Sequence, residues 1–106
     1  MQWKKIRIER DLELEKRTGI TIESCNIARD EDDEDNVRVS GIAISRSGKP
    51  IEEFVTIQFE IYGNEDNYYD ADEESWFDFG VRQSFEFEFD DSDNSVGKVK
   101  LYPTIE

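Results

Sequence analysis

From residue 19 onward, apolar and polar side chains alternate in short runs separated by Gly, Pro, Asn and Asp. A period of two is what a strand with one buried face requires. GITIESCNIA (19–28), NVRVSGIAIS (36–45) and EFVTIQFEIY (53–62) are the long runs; SWFDF (75–79), QSFEFEF (83–89) and VGKVKLY (96–102) follow. Ahead of them, Ile6, Ile8, Leu12 and Leu14 alternate through an N-terminal arm, residues 1–18, expected to be extended and to end in the turn KRTG. No window holds an apolar 3.6-residue period long enough for an ordinary helix.

The runs also predict registers. In 36–45, Val37 and Val39 are odd while Ile42 and Ile44 are even, so a bulge is expected at Gly41, where the parity changes. Val55, Ile57, Phe59 and Ile61 share a face, and Trp76, Phe77 and Phe79 are expected to enter the core. The last two runs are expected to form a hairpin with Phe87 opposite Val99 and Phe85 opposite Leu101. That register sets Glu88 across from Lys98 and Glu86 across from Lys100. Short strands divided by turn residues predict an all-β antiparallel sandwich of about seven strands over residues 19–106, preceded by the arm.

FEIYG, Phe59 to Gly63, is similar to the F-x-L-Y-D signature of the bacterial and archaeal FxLYD family, with Ile61 for Leu and Gly63 for Asp. VRVSGIAISRSGKPIEEF (37–54) resembles that family's V-x-G-x-V-x-N-x-S-G-K-P-L run, with Ser45 in place of Asn, and Gly80 before Phe85 resembles its G-x-x-x-x-F step. The resemblance spans roughly residues 19–106. It implies an immunoglobulin-like sandwich that serves as a non-catalytic accessory module, usually extracellular or on a lipoprotein.

Composition narrows the partners. At 106 residues the chain holds one core. Thirteen basic residues against 27 acidic ones give a net charge of −14, which disfavours nucleic acid and anionic membrane and favours a basic protein or a cation. Hydrophobic content is only 36%, a level at which disorder competes, but the apolar residues are concentrated in the alternating runs and predict folding. The single cysteine, Cys25, lies in an apolar run and is expected to be a reduced, inert small hydrophobe. MQWKKIRIER has no leader-like apolar run, so a cytoplasmic setting is expected, or an extracellular one if the chain is an excised domain.

Strands that cross a sandwich from pole to pole put alternate loops at the same end. Segments 29–36, 63–75 and 90–95 are expected at one pole with fifteen of the 27 carboxylates, opposed there by Arg29 alone. The turns carrying Lys16, Arg17, Arg46, Lys49 and Arg82 fall at the other. Such a field attracts basic proteins and cations.

Catalysis is not expected: there is no histidine, and carboxylates in solvated loops lack the shared apolar site that separates their pKa values. No cofactor is expected, with calcium as the alternative, because Asp30 and Asp32, Asp70 and Asp72, and Asp91 and Asp93 each show acid-x-acid spacing. None of the three completes an EF-hand loop. The leading reading is docking of a basic protein on Tyr68, Tyr69, Asp70, Asp72, Glu73 and Glu74, since Tyr is over-represented among interface hot spots and the acids would pair with Lys or Arg. Self-association is a further expectation, with WKKIRIE (3–9) adding to a sheet edge of another copy.

Overall fold

Val55, Ile57, Phe59 and Ile61 turn one side of a nine-residue strand inward, and the core is assembled against that side. A computed structural model of the protein describes residues 4–106. Its elements are β1 (Arg7–Arg10), α1 (Leu12–Thr18), β2 (Ile20–Arg29), β3 (Asn36–Ser45), β4 (Val55–Gly63), β5 (Tyr68–Trp76), β6 (Arg82–Asp90) and β7 (Val96–Ile105). They form an all-β sandwich: a four-stranded sheet in the order β1-β7-β4-β5 faces a three-stranded sheet in the order β2-β3-β6. Every pairing is antiparallel except that of β1 with β7, which is parallel. Phe59 joins the two layers by stacking on Phe87, ring centroids 4.6 Å apart.

The arm departs from its expected extended form. Residues 7–10 are a strand, but the strand they join is the chain's own β7, and Ile6 reaches the core. Residues 12–18 are a helix. Asp11 caps it by accepting a hydrogen bond from the Leu14 amide at 3.0 Å, and Gly19 ends it at φ 77°. Two leucines two apart imitated a strand, whereas the caps and the Arg10–Glu15 pair decide the helix. Glu15, only 2% exposed, accepts from the Nε and one terminal guanidinium nitrogen of Arg10 at 2.8 and 2.6 Å and from the Ile22 amide at 3.2 Å, which ties α1 to β1 and β2. Residues 1–3, including Trp3 of the WKKIRIE segment, lie outside the described residues.

The bulge expected at Gly41 lies in the neighbouring strand. β3 keeps odd residues inward throughout, with Val37, Val39, Ala43 and Ser45 buried and Ile42 and Ile44 half-buried outside. It is β2 that changes parity, from Ile20 and Ile22 to Cys25 and Ile27, through Ser24 at φ 56°. Gly41 is required for another reason: the tip of the Phe85 ring lies 2.5 Å from where its Cβ would be.

The expected C-terminal hairpin is absent. β6 and β7 belong to different sheets, so Phe87 pairs with Val39 while Val99 pairs with Ile61 and Ile8. Both strands alternate because both face the same core from opposite sides, a geometry that gives each the pattern of a hairpin partner. Glu86 and Glu88 meet Arg38 at 3.3 and 3.2 Å, and Lys98 meets Glu9 at 3.3 Å and Asp66 at 3.6 Å. Among the three aromatics expected in the core, Phe79 is buried and Trp76 is half-buried against it, edge to face at 5.7 Å. Phe77 is 79% exposed, because β5 ends at Trp76, and its ring rests on Phe54 at 4.6 Å.

Candidate functional site

The acidic stretch expected to be a loop is mostly strand. Residues 64–67 make the turn and Tyr68–Trp76 return along β4, so Asp70, Asp72, Glu73 and Glu74 lie along a sheet edge and not at a pole. Propensity argued against this, since Asp and Glu are poor strand formers. Pairing with the strongly apolar β4 overrides it: Asp70 sits opposite Ile61, Asp72 opposite Phe59 and Glu74 opposite Ile57. These three acids therefore occupy the inward side of their sheet, yet Asp70 and Asp72 are exposed and Glu74 half-buried. The opposing sheet has one strand fewer, so its cover gives out beneath β5. Inward-pointing charges on an edge strand are a known defence against indiscriminate edge pairing. Glu73 is on the outer side, where its carboxylate accepts from the Gln58 amide at 3.1 Å.

Tyr68 and Tyr69 open this strand, 62% and 49% exposed. Tyr68 packs edge-on against Tyr62 at 6.0 Å, and Tyr69 lies within hydrogen-bonding reach of Ser95 at 3.2 Å. On the same outer face Glu60 accepts from two phenols, Tyr62 at 2.7 Å and Tyr102 at 2.9 Å, while Lys98 stands over the Tyr62 ring at 4.7 Å. The hydrogen bond to the Glu60 carboxylate, followed by burial, pushes the Tyr62 hydroxyl up to about 12. For Tyr102 burial acts first and the same carboxylate second, again to about 12. A tyrosine whose folded pKa lies above its unfolded value of about 10 stabilises the fold below that pH and loses this contribution as pH rises through 12. Absorbance titration at 295 nm should therefore show tyrosines ionising near pH 12, and Tyr62→Phe with Tyr102→Phe should remove that late phase. Retention of the phase in the double variant would refute the assignment.

The expected acidic pole forms from shorter segments. Asp30 and Asp32 lie in the β2–β3 loop and Asp93 in the β6–β7 loop, and the two loops are joined by the Asp91 amide donating to the Asp35 carbonyl at 2.7 Å. The Asn64 amide donates to the Ser95 carbonyl at 3.1 Å and brings in the third turn. Arg46 meets Gly19, and Ile51 meets Gly80, at the opposite end. Arg29 is not alone among the pole's acids, because Arg7 and Lys98 reach Asp66 from β1 and β7.

Asp91, a candidate calcium ligand by spacing, is 1% exposed with both oxygens engaged. One accepts from Arg29 at 2.6 Å and the other from the Ser95 and Val96 amides at 2.9 and 3.0 Å. Asp70 and Asp72 lie on β5, whereas Asp30, Asp32 and Asp93 lie in the β2–β3 and β6–β7 loops. Among the described residues no group of three or more His, Cys, Asp or Glu side chains is placed to hold a metal ion. Cys25 is half-buried in the β2 bulge, where burial pushes its thiol up against the lowering influence of Arg10, a setting that suppresses thiolate chemistry.

One feature escaped the sequence reading. Lys4, Lys5 and Arg7 line an open groove between the outer edges of β1 and β2, floored by Ile8, Cys25 and Ile27. The KKIR cluster was visible, but only the pairing of β1 with β7 makes it a sheet edge.

No protein-family model matches the chain, and comparison with curated proteins finds no match. Among solved structures it is similar to the crystal structure of a DUF1425 family member from Shewanella sp. pv-4, with a TM-score of 0.51 and 12% identity over 80% of this chain and 76% of that one. The likeness is one of fold, an all-β domain. No described helix is long and apolar enough to cross a membrane.

Proposed function

We propose that this protein is a non-catalytic binding module whose acidic edge strand, β5, docks a basic protein. The observation that carries the reading is the exposure of Tyr68–Glu73 along a strand that has no neighbour on its outer side among the described residues. Such an edge can take up an incoming extended segment, which would displace the Asp70 and Asp72 carboxylates from the Ala71 and Glu73 amides they accept from at 2.8 Å. Asp70, Asp72 and Glu73 select Lys and Arg on that segment, while Tyr68 and Tyr69 supply rigid contact area. The FxLYD resemblance, which implies an accessory module, points the same way.

Titration with an extended Lys-rich peptide, followed by backbone amide shifts, tests the proposal. The β5 amides should move first. Asp70→Asn, Asp72→Asn and Glu73→Gln together should weaken binding by roughly tenfold, on the scale of exposed ion pairs. Neutralising Asp32, Asp33 and Glu34 at the pole should change it by no more than about twofold, the screened long-range remainder. Equal losses from the two sets would mean that only bulk charge is sensed and would overturn edge docking.

A further inference from the structure

We infer that a second copy of this chain supplies a partner for that edge: β5 of one molecule adds to β1 of the next and continues the four-stranded sheet head to tail. This inference rests on the reading of β5 as a docking edge.

β1 and β5 are the two outer strands of one sheet. They carry opposite charge. The segment leading through β1 holds Lys4, Lys5, Arg7 and Arg10 against Glu9, whereas β5 holds Asp70, Asp72, Glu73 and Glu74 with no base. In a chain of net charge −14, a basic edge is the exception, and it lies on the side of the sheet away from the acidic one. Two β5 edges brought together would oppose carboxylate to carboxylate, and two β1 edges base to base; both are repulsive. Only the unlike pairing attracts, so association is heterologous and propagates instead of closing as a twofold dimer. Directions agree as well: β1 runs parallel to β7, β7 antiparallel to β4 and β4 antiparallel to β5, so β1 and β5 point the same way and successive copies meet as parallel strands. Of the basic groups, Arg10 is committed to Glu15 at 2.6 Å. Lys4 and Lys5 are exposed, and the contact of Arg7 with Asp66 is long, 3.5 Å, between two exposed side chains.

Net charge and local charge act at different ranges, which gives the association a distinctive salt dependence. The molecule is 46 Å long. At about 10 mM salt the Debye length is roughly 30 Å, so two copies repel as whole anions. At about 150 mM it falls to roughly 8 Å, which silences the distant charges and leaves the ion pairs across the junction. At about 1 M, roughly 3 Å of screening removes those too. Association should peak at intermediate salt; apolar association would rise throughout, and simple attraction between ions would fall throughout.

Sedimentation velocity of the full chain at these three salt levels and at millimolar protein tests the inference, together with three variants. Lys4→Glu, Lys5→Glu and Arg7→Glu reverse the basic edge, and Asp70→Lys, Asp72→Lys and Glu73→Lys reverse the acidic one. Each triple alone should leave monomers. All six changes in one chain restore unlike edges at an unchanged net charge of −14 and should restore association. If a reversed variant loses its folded circular dichroism, Lys5→Gln with Arg7→Gln and Asp70→Asn with Asp72→Asn replace it, each expected to reduce association at least threefold. A wild-type chain that stays monomeric at every salt level, association indifferent to either reversal, or a sixfold variant that stays monomeric would each overturn head-to-tail pairing. A monomer that still binds the Lys-rich peptide at β5 would sink this inference and leave the docking reading standing; failure of both would remove both.

Discussion

Alanine at position 59 lowers the free energy of unfolding by about 3–5 kcal/mol, the range for truncating a buried aromatic. Phe59 is 1% exposed, and its ring stacks on Phe87 at 4.6 Å and touches Phe89 at 5.9 Å, so truncation opens a void between the two sheets. Its neighbours cannot collapse into that void, because β4 is held by β5 on one side and β7 on the other. For a domain of this size each kcal/mol is worth at least about 4 °C, so the melting temperature should fall by more than about 12 °C. The comparison that gives the result meaning is Phe77→Ala. Phe77 is the same residue type but 79% exposed, and its loss should stay within about 0.5 kcal/mol. Urea unfolding of both variants decides it; equal costs would show that the core has been placed wrongly.

A loss of similar size is expected from Asp91→Ala, through a different mechanism. The Asp91 side chain is 0% exposed and faces Arg29, whose own side chain is 15% exposed. Removing the carboxylate takes one ion-pair partner from a largely buried guanidinium, which keeps its bond to the Glu34 carbonyl at 2.9 Å, and strips two backbone amides, those of Ser95 and Val96, of their acceptor. Breaking one side of a buried ion pair costs about 3–5 kcal/mol. The double variant Arg29→Met with Asp91→Ala separates the contributions, since it removes the guanidinium that has lost the Asp91 carboxylate and leaves the two amides unsatisfied. It should recover part of the loss but not all of it. A cost below about 1 kcal/mol for Asp91→Ala in denaturant titration would mean that water replaces the carboxylate and that the β2–β3 and β6–β7 loops do not depend on it.

Asp91 also illustrates why chemistry was harder to read than fold. In sequence it is one acid among fifteen in the acidic segments, and acid-x-acid spacing put it on equal terms with Asp93. Only the arrival of Arg29 from a residue 62 positions away distinguishes a buried structural carboxylate from a solvated one. Asp70 and Asp72 were misplaced for the complementary reason. Their composition is that of a loop, and the force that holds them in a strand belongs to the β4 residues opposite.

Local alternation was sufficient to determine that the chain is an all-β sandwich, which side of β4 is buried, and that 36–45 is one strand, because a period of two expresses the amphipathic geometry of a single strand. The same residues could not determine which strand each would join. Phe85 and Phe87 carry the same pattern whether Val99 is their hydrogen-bonded neighbour or lies in the facing sheet, and the tertiary structure chose the latter. Nor could Leu12 and Leu14 reveal a helix whose existence depends on Glu15 being buried against Arg10 and the Ile22 amide. The charges were legible as a total and as a segregation along the chain. That they form a basic edge and an acidic edge of one sheet was decided only when β1 paired with β7 and β5 with β4, since edge position is a property of strand order and strand order is not written in any one strand.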